Sequence, residues 1–174
     1  MSTIHGTTYD WTVSDPNSAL VTALRNQFNL DLVIAMVLVN RGITLETAEA
    51  FLNPSLSRLT PHTTLPGIAD ATARIQKAID AGEQIMVHGD YDCDGVTSAA
   101  LAVRALQGVG AKVSGFVPRR SDGYDIQRYG VDEAAKLGAT LIITTDCGVG
   151  AVEPVAYAKA LGIDVVVTDH HRPG

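Results

Sequence analysis

From Gln84 onward the sequence settles into a rhythm that few folds accept. Short runs rich in β-branched residues at 85–88, 112–117, 140–145 and 164–168 alternate with Ala-rich stretches near 96–108, 131–137 and 152–161. Parallel strands need long crossovers, usually helical, so this alternation predicts βαβ units and a parallel sheet. The strand runs are nearly continuously apolar, as expected when helices cover both faces. The predicted fold is therefore α/β: an open parallel sheet with helices on both faces over residues 81–174.

Residues 1–80 carry the other periodicity. Apolar positions recur every three or four residues in 19–28, 32–39 and 68–79, which predicts a helical N-terminal region preceding the sheet. Asp15-Pro16 and Thr44 are helix-start signals, and Pro54 and Pro61 to Pro66 bracket a surface segment. With 174 residues and 46% apolar content, the chain has material for one compact unit with an appended lobe.

No apolar run approaches the roughly 20 residues that span a bilayer. The start MSTIHGTTYDW lacks both the basic residues and the apolar stretch of a signal peptide. A soluble, cytoplasmic protein with no membrane partner is expected. Cys93 and Cys147 show no CxxC or zinc spacing, so both are expected to be small buried thiols, neither bridged nor ligating. A net charge of -6 excludes a protein that holds nucleic acid by overall positive charge, leaving only local recognition.

Each predicted strand runs directly into polar residues: HGDYDCDG, PRRSDGYD, DCG and DHHRPG, in that order. The C-terminal ends of an open parallel sheet share one edge, where ligands bind between diverging loops. In the first segment Asp90, Asp92 and Asp94 stand at alternate positions, and so close a set repels itself unless cations neutralise it. A solvated acidic turn is the bland alternative. An EF-hand loop is a sharper one, but its twelfth position falls on Leu101 and its leading flank reads as strand. Asp146, or the Asp169-His170-His171 run, would mean little alone, as a turn former or a polar loop. Together, carboxylates and imidazoles without thiolates suit Mn²⁺ or Mg²⁺, and a bridging carboxylate would hold two ions.

These segments resemble the motifs of the DHH phosphoesterase superfamily, and within it the RecJ-type exonucleases. HGDYDCDG is similar to the first motif, usually written with Ala at the place of Cys93; DCG to the second; and DHH at 169–171 to the run that names the superfamily. The cadence extends through WTVSDP and NRGITLETAEAFLNPSLSRLTP. The resemblance implies a metal-dependent 5′ to 3′ exonuclease on single-stranded DNA, with a place in DNA repair and recombination. An activated water would be its nucleophile. Related enzymes imply one alternative, a phosphodiesterase for short oligonucleotides or cyclic dinucleotides; a non-catalytic DNA-binding or interaction module that keeps the fold is another.

Carried over position by position, the resemblance makes His88, Asp92, Asp94, Asp146 and His170 metal ligands, with Asp146 the bridge between two ions. Asp90 and Asp169 become supporting carboxylates, and Asp90, Asp146 and His171 the catalytic set. His171 faces the scissile phosphate; Arg119 and Arg120 are candidates for other phosphates, with a solvated surface pair as the alternative. Asp125 stands where relatives have the second Gly of a GYG turn beside Tyr124. A further Asp ligand and a DHHA1 domain would follow Gly174 in such relatives. The expectation is thus a fragment or a short member, with an under-coordinated second metal and impaired activity.

Overall fold

The computed structural model describes residues 2–172, and of Ser2, Trp11 and Val13 only the backbone; Pro173 and Gly174 of DHHRPG lie outside the described residues. The chain divides after Pro61 into two compact units.

The first unit opens with a hairpin that the periodicity does not announce. Strands β1 (Ser2–His5) and β2 (Asp10–Val13) pair antiparallel, closed by the Gly6 amide donating to the Tyr9 carbonyl at 3.0 Å. Four residues per strand are too few to stand out as a period, which is why this part reads as helical lead-in. Helices α1 (Ser18–Phe28), α2 (Leu32–Asn40) and α3 (Leu45–Leu52) follow, and Val21, Leu24, Ala35, Leu38 and Ala48 form their core. Asn17, two positions beyond Asp15, caps α1 by accepting from the Ala19 and Leu20 amides. Thr44 does cap α3, its amide donating to Thr47 Oγ1 at 2.9 Å.

The second unit carries the sheet. Helix α4 (Ile68–Asp80) leads into β3 (Gln84–Gly89), α5 (Cys93–Gly108), β4 (Lys112–Phe116), α6 (Arg128–Lys136), β5 (Ala139–Thr145), α7 (Val152–Ala160) and β6 (Asp164–Thr168). The four strands are parallel in the order β4-β3-β5-β6. Strand alternation sends Ile85, Leu141 and Ile143 against Ala78 of α4 and Leu106 of α5. Met86 and Ile142 face the other way, against Val131 and Ala134 of α6 and Ala158 of α7. Each fully buried Ile, Leu or Met contributes roughly 1.5–3 kcal/mol, so these two layers dominate the unit's stability. Because α4 builds one of them, it packs as part of the sheet unit although its periodicity runs on from the preceding helices.

β3 and β5 are buried apart from Gln84 and Thr140 near their starts, whereas β4 and β6 form the sheet edges and are partly exposed. Arg74 of α4 clasps the strand starts, 2.8 Å from Glu83 and 2.6 Å from Asp164. The order also fixes where a ligand can sit. The chain leaves β3 into α5 on one face and β5 into α7 on the other, so the loops after these neighbouring strands diverge and open a crevice at their C-terminal ends.

Candidate metal centre

Four loops meet at that crevice. The turn after β3 carries Asp90, Asp92 and Asp94. Asp92 is the N-cap of α5, accepting from the Gly95 amide at 3.1 Å, which places Asp94 in the first helical turn. That amide, then a hydrogen bond with Asp94 and the positive charge of Arg120, hold the Asp92 carboxyl below its usual range against the effect of burial.

Asp146 follows β5 in the left-handed region at φ 63°, and its amide donates to the Thr168 carbonyl at the end of β6. This bond ties the second and fourth loops together. His170 Nε2 then lies 2.9 Å from Asp146 Oδ1 and 3.9 Å from Asp94 Oδ2. Despite this approach, no hydrogen bond is aligned at the buried Asp146 Oδ1 among the described residues.

Two groups of ligand atoms result, each with all its atoms within 4.8 Å of one another: Asp92, Asp94 and Asp146, and Asp146, His170 and His171. Asp146 belongs to both, the placement a bridging carboxylate requires. Asp90 sits behind them, 1% exposed, and neither of its oxygens has an aligned hydrogen bond among the described residues. Burial pushes its carboxyl up, and Asp92, Asp146 and Asp125 push it further, against the opposing Tyr91 amide. A buried carboxylate without partners is costly unless a cation faces it. The oxygen-rich donor set with one or two imidazoles therefore fits hard divalent ions. A cavity of about 410 Å³ opens beside the cluster, lined by Asp94, Ser98, Asp146, Thr168, Asp169 and His170.

Asp169 supports its neighbours. Burial would raise its carboxyl, but the His171 and Val149 amides and the His171 ring hold it low, with His171 Nδ1 2.7 Å from Asp169 Oδ1. That hydrogen bond in turn raises the His171 imidazole. Arg120 lies with its guanidinium carbon 4.4 Å above the Tyr91 ring, while Arg119 is exposed and engages Asp122 through its backbone amide.

His88 is not gathered into either group. The alternation that brings Met86 to the α6 face brings His88 there too, fully buried, with its ring 5.2 Å from Phe116. Nε2 presses on Gly130 of α6, where an added Cβ would stand 2.7 Å away. Burial lowers this imidazole to about 4, which keeps it neutral. The thiols also separate: Cys147 is buried and pushed up to about 12 by burial, whereas Cys93, at the solvent-facing start of α5, is exposed. Asp125 and Tyr91 joined the site without being singled out by spacing. Asp125 adopts φ 71° without glycine, its Oδ1 accepting from the Ile126 amide at 2.7 Å.

Residues 84–174 match the family model described as the DHH family, N-terminal domain. The chain belongs to the DHH family. It is 37% identical over 166 residues to the single-stranded-DNA-specific exonuclease RecJ of Bacillus subtilis, an alignment covering 94% of this chain and 21% of that protein. The crystal structure of RecJ from Thermus thermophilus in complex with Mn²⁺ matches 93% of this chain and 22% of its own, with 31% identity and a TM-score of 0.63. A second structure of that protein, in complex with Mg²⁺, covers 91% of this chain and 19% of its own, with 29% identity and a TM-score of 0.53. The chain thus spans about a fifth of the length of these relatives.

Proposed function

We propose that the sheet unit of this chain forms the two-metal centre of a phosphodiester hydrolase that digests single-stranded DNA from the 5′ end. The observation that carries the reading is Asp146, common to two ligand groups at the sheet's switch point and backed by the unpartnered Asp90. Asp92, Asp94, Asp146 and His170 would hold the ions, with Mn²⁺ and Mg²⁺ both suited to them. A divalent pair supplies there an acidified water and an electrophile for the phosphoryl oxygens. The substrate follows from likeness to RecJ proteins, named for action on single-stranded DNA. A cytoplasmic location accompanies it; among the described residues no helix is long and apolar enough to cross a membrane.

The chain's own groups do the positioning. Asp169 orients His171, which donates to a phosphate oxygen as charge develops in the transition state. Arg120, braced on Tyr91, presents its planar fork to a neighbouring phosphate, while Arg119 offers a second, freer cation. Asp90 sets the field behind the ligands.

Replacing Asp146 with Ala should abolish both the Mn²⁺ binding heat in calorimetry and nucleotide release from a 5′-labelled single strand. Retention of both would refute the reading. Faster turnover of a cyclic dinucleotide or short oligonucleotide than of the long strand would keep the chemistry and reassign the substrate.

A further inference from the structure

Tyr124, 45% exposed, lies on the rim of the crevice, yet its surroundings are built to hold it still. The residue two positions on, Ile126, is completely buried in the α6 and α7 core and anchors the loop. Gln127 Nε2 donates to the Tyr124 carbonyl at 2.7 Å, and the left-handed turn at Asp125 is closed by its own carboxylate. The ring meets Tyr91 edge-on at 6.4 Å, and Tyr91 is in turn covered by Arg120. What this support presents is the phenol oxygen, 3.1 Å from His171 Nδ1 and 3.3 Å from Nε2, with the two rings nearly perpendicular at 5.8 Å.

We propose that Tyr124 is a positioning residue for His171, its hydroxyl bracing at both ring nitrogens an imidazole that Asp169 holds at Nδ1. The proposal rests on the hydrolase reading and adds a residue to it. His171 Nδ1–H donates to Asp169 Oδ1, which fixes the tautomer and leaves Nε2 as an acceptor. The Tyr124 hydroxyl, within reach of both ring nitrogens, donates to Nε2 and holds the ring at the mouth of the site. Burial, reinforced by Asp169, Asp90, Asp125 and Asp146, pushes the phenol up to about 12, so it remains a donor throughout the neutral range. Two contacts from separate loops fix a ring that one contact would leave free to swing, and small misplacements of such a group are costly.

The test uses the 174-residue chain with Tyr124→Phe, which keeps the ring and its contact with Tyr91 and removes only the hydroxyl. In ¹⁵N-histidine spectra of the metal-free chain, the His171 Nε2 resonance should move toward the position of a nitrogen that accepts no hydrogen bond, while Nδ1 keeps its proton. Turnover of a labelled single strand should fall roughly tenfold, with KM and the Mn²⁺ titration unchanged within about twofold. An unmoved Nε2 resonance overturns the proposal. So does a loss of Mn²⁺ binding, which would make Tyr124 part of the scaffold. Should the unsubstituted chain bind no Mn²⁺, the hydrolase reading fails, and the resonance of the metal-free chain still decides the fate of the brace.

Discussion

At the scale of single residues, the buried imidazole of His88 makes the sharpest demand on solution conditions. Its folded value of about 4 lies below the ordinary 6.5, so between those limits the unfolded chain binds a proton that the native chain refuses. Stability from this group is complete above about pH 6.5 and drains away as the pH falls toward 4. A shift of that size corresponds to about 3 kcal/mol once the drop is complete. Urea unfolding in chelator at pH 7 and 4.5 should show the native sequence losing about 2–3 kcal/mol more than His88→Gln. The acidic cluster titrates in both proteins and cancels in the comparison. Equal losses would mean that His88 is not held neutral in the fold. The same residue marks the limit of what the sequence discloses about the site. The convergence of Asp92, Asp94, Asp146 and His170 was legible because each follows closely on a strand, and all strand ends reach the same edge. His88 is still inside its strand, where alternation alone dictates the face, and that face belongs to α6. Nor does spacing reveal Tyr124 as a neighbour of His171, since 47 residues separate them.

At the scale of elements, the joint between β3 and α5 decides whether the ligands converge. A Cβ on Gly95 would lie 2.4 Å from the Asp90 carbonyl oxygen and 2.6 Å from its nitrogen; one on Gly89 would lie 2.5 Å from the Gly95 oxygen. Strand end and first helical turn are back to back, and backbone on both sides leaves nothing flexible to yield. Gly95→Ala should therefore destabilise by about 2–3 kcal/mol in urea and weaken Mn²⁺ binding, because Asp92 and Asp94 ride on the displaced turn. Gly108, at the other end of α5, has open space where its Cβ would stand. Gly108→Ala should stabilise by about 0.5–1 kcal/mol with unaltered Mn²⁺ binding, through lower chain entropy in the unfolded state. If the two variants behave alike, the close approach at Gly95 is not what sets the loop. Periodicity disclosed such elements well wherever they were long or fully buried. It located α5 and the two central strands, whose apolar runs leave no competing reading. It missed the hairpin of β1 and β2, where backbone pairing across a tight turn decides the outcome without a buried stripe. It also could not say that α4 packs on the sheet, since an amphipathic helix declares which face is buried and not what buries it.

For the molecule as a whole, the two units give metal binding a spatial signature. Every candidate ligand lies beyond Pro61, in the unit that holds the sheet. An ion that binds only the native state stabilises by mass action, about 2.7 kcal/mol at a hundredfold excess over its dissociation constant. That free energy enters through the ligands, so it reaches the openings that release them and no others. The turn after β3, the first turn of α5, the loop after β5 and the end of β6 all open at the expense of ligand contacts. Hydrogen exchange of their amides should slow by about a hundredfold at such a Mn²⁺ excess if they exchange through those openings. Amides of α1, α2 and α3 contribute no ligand, and their local openings should exchange at unchanged rates. The native charge of -6 sharpens the contrast, because without ions the crowded carboxylates near Asp146 are held together against their own repulsion. Sodium chloride should reproduce only a small part of the protection, by screening, whereas Mn²⁺ acts through coordination. Uniform slowing over both units would show that the ion acts on the folding of the entire chain. Slowing confined to α1–α3 would put the ligands in the wrong unit and remove the basis for a metal centre at the sheet edge.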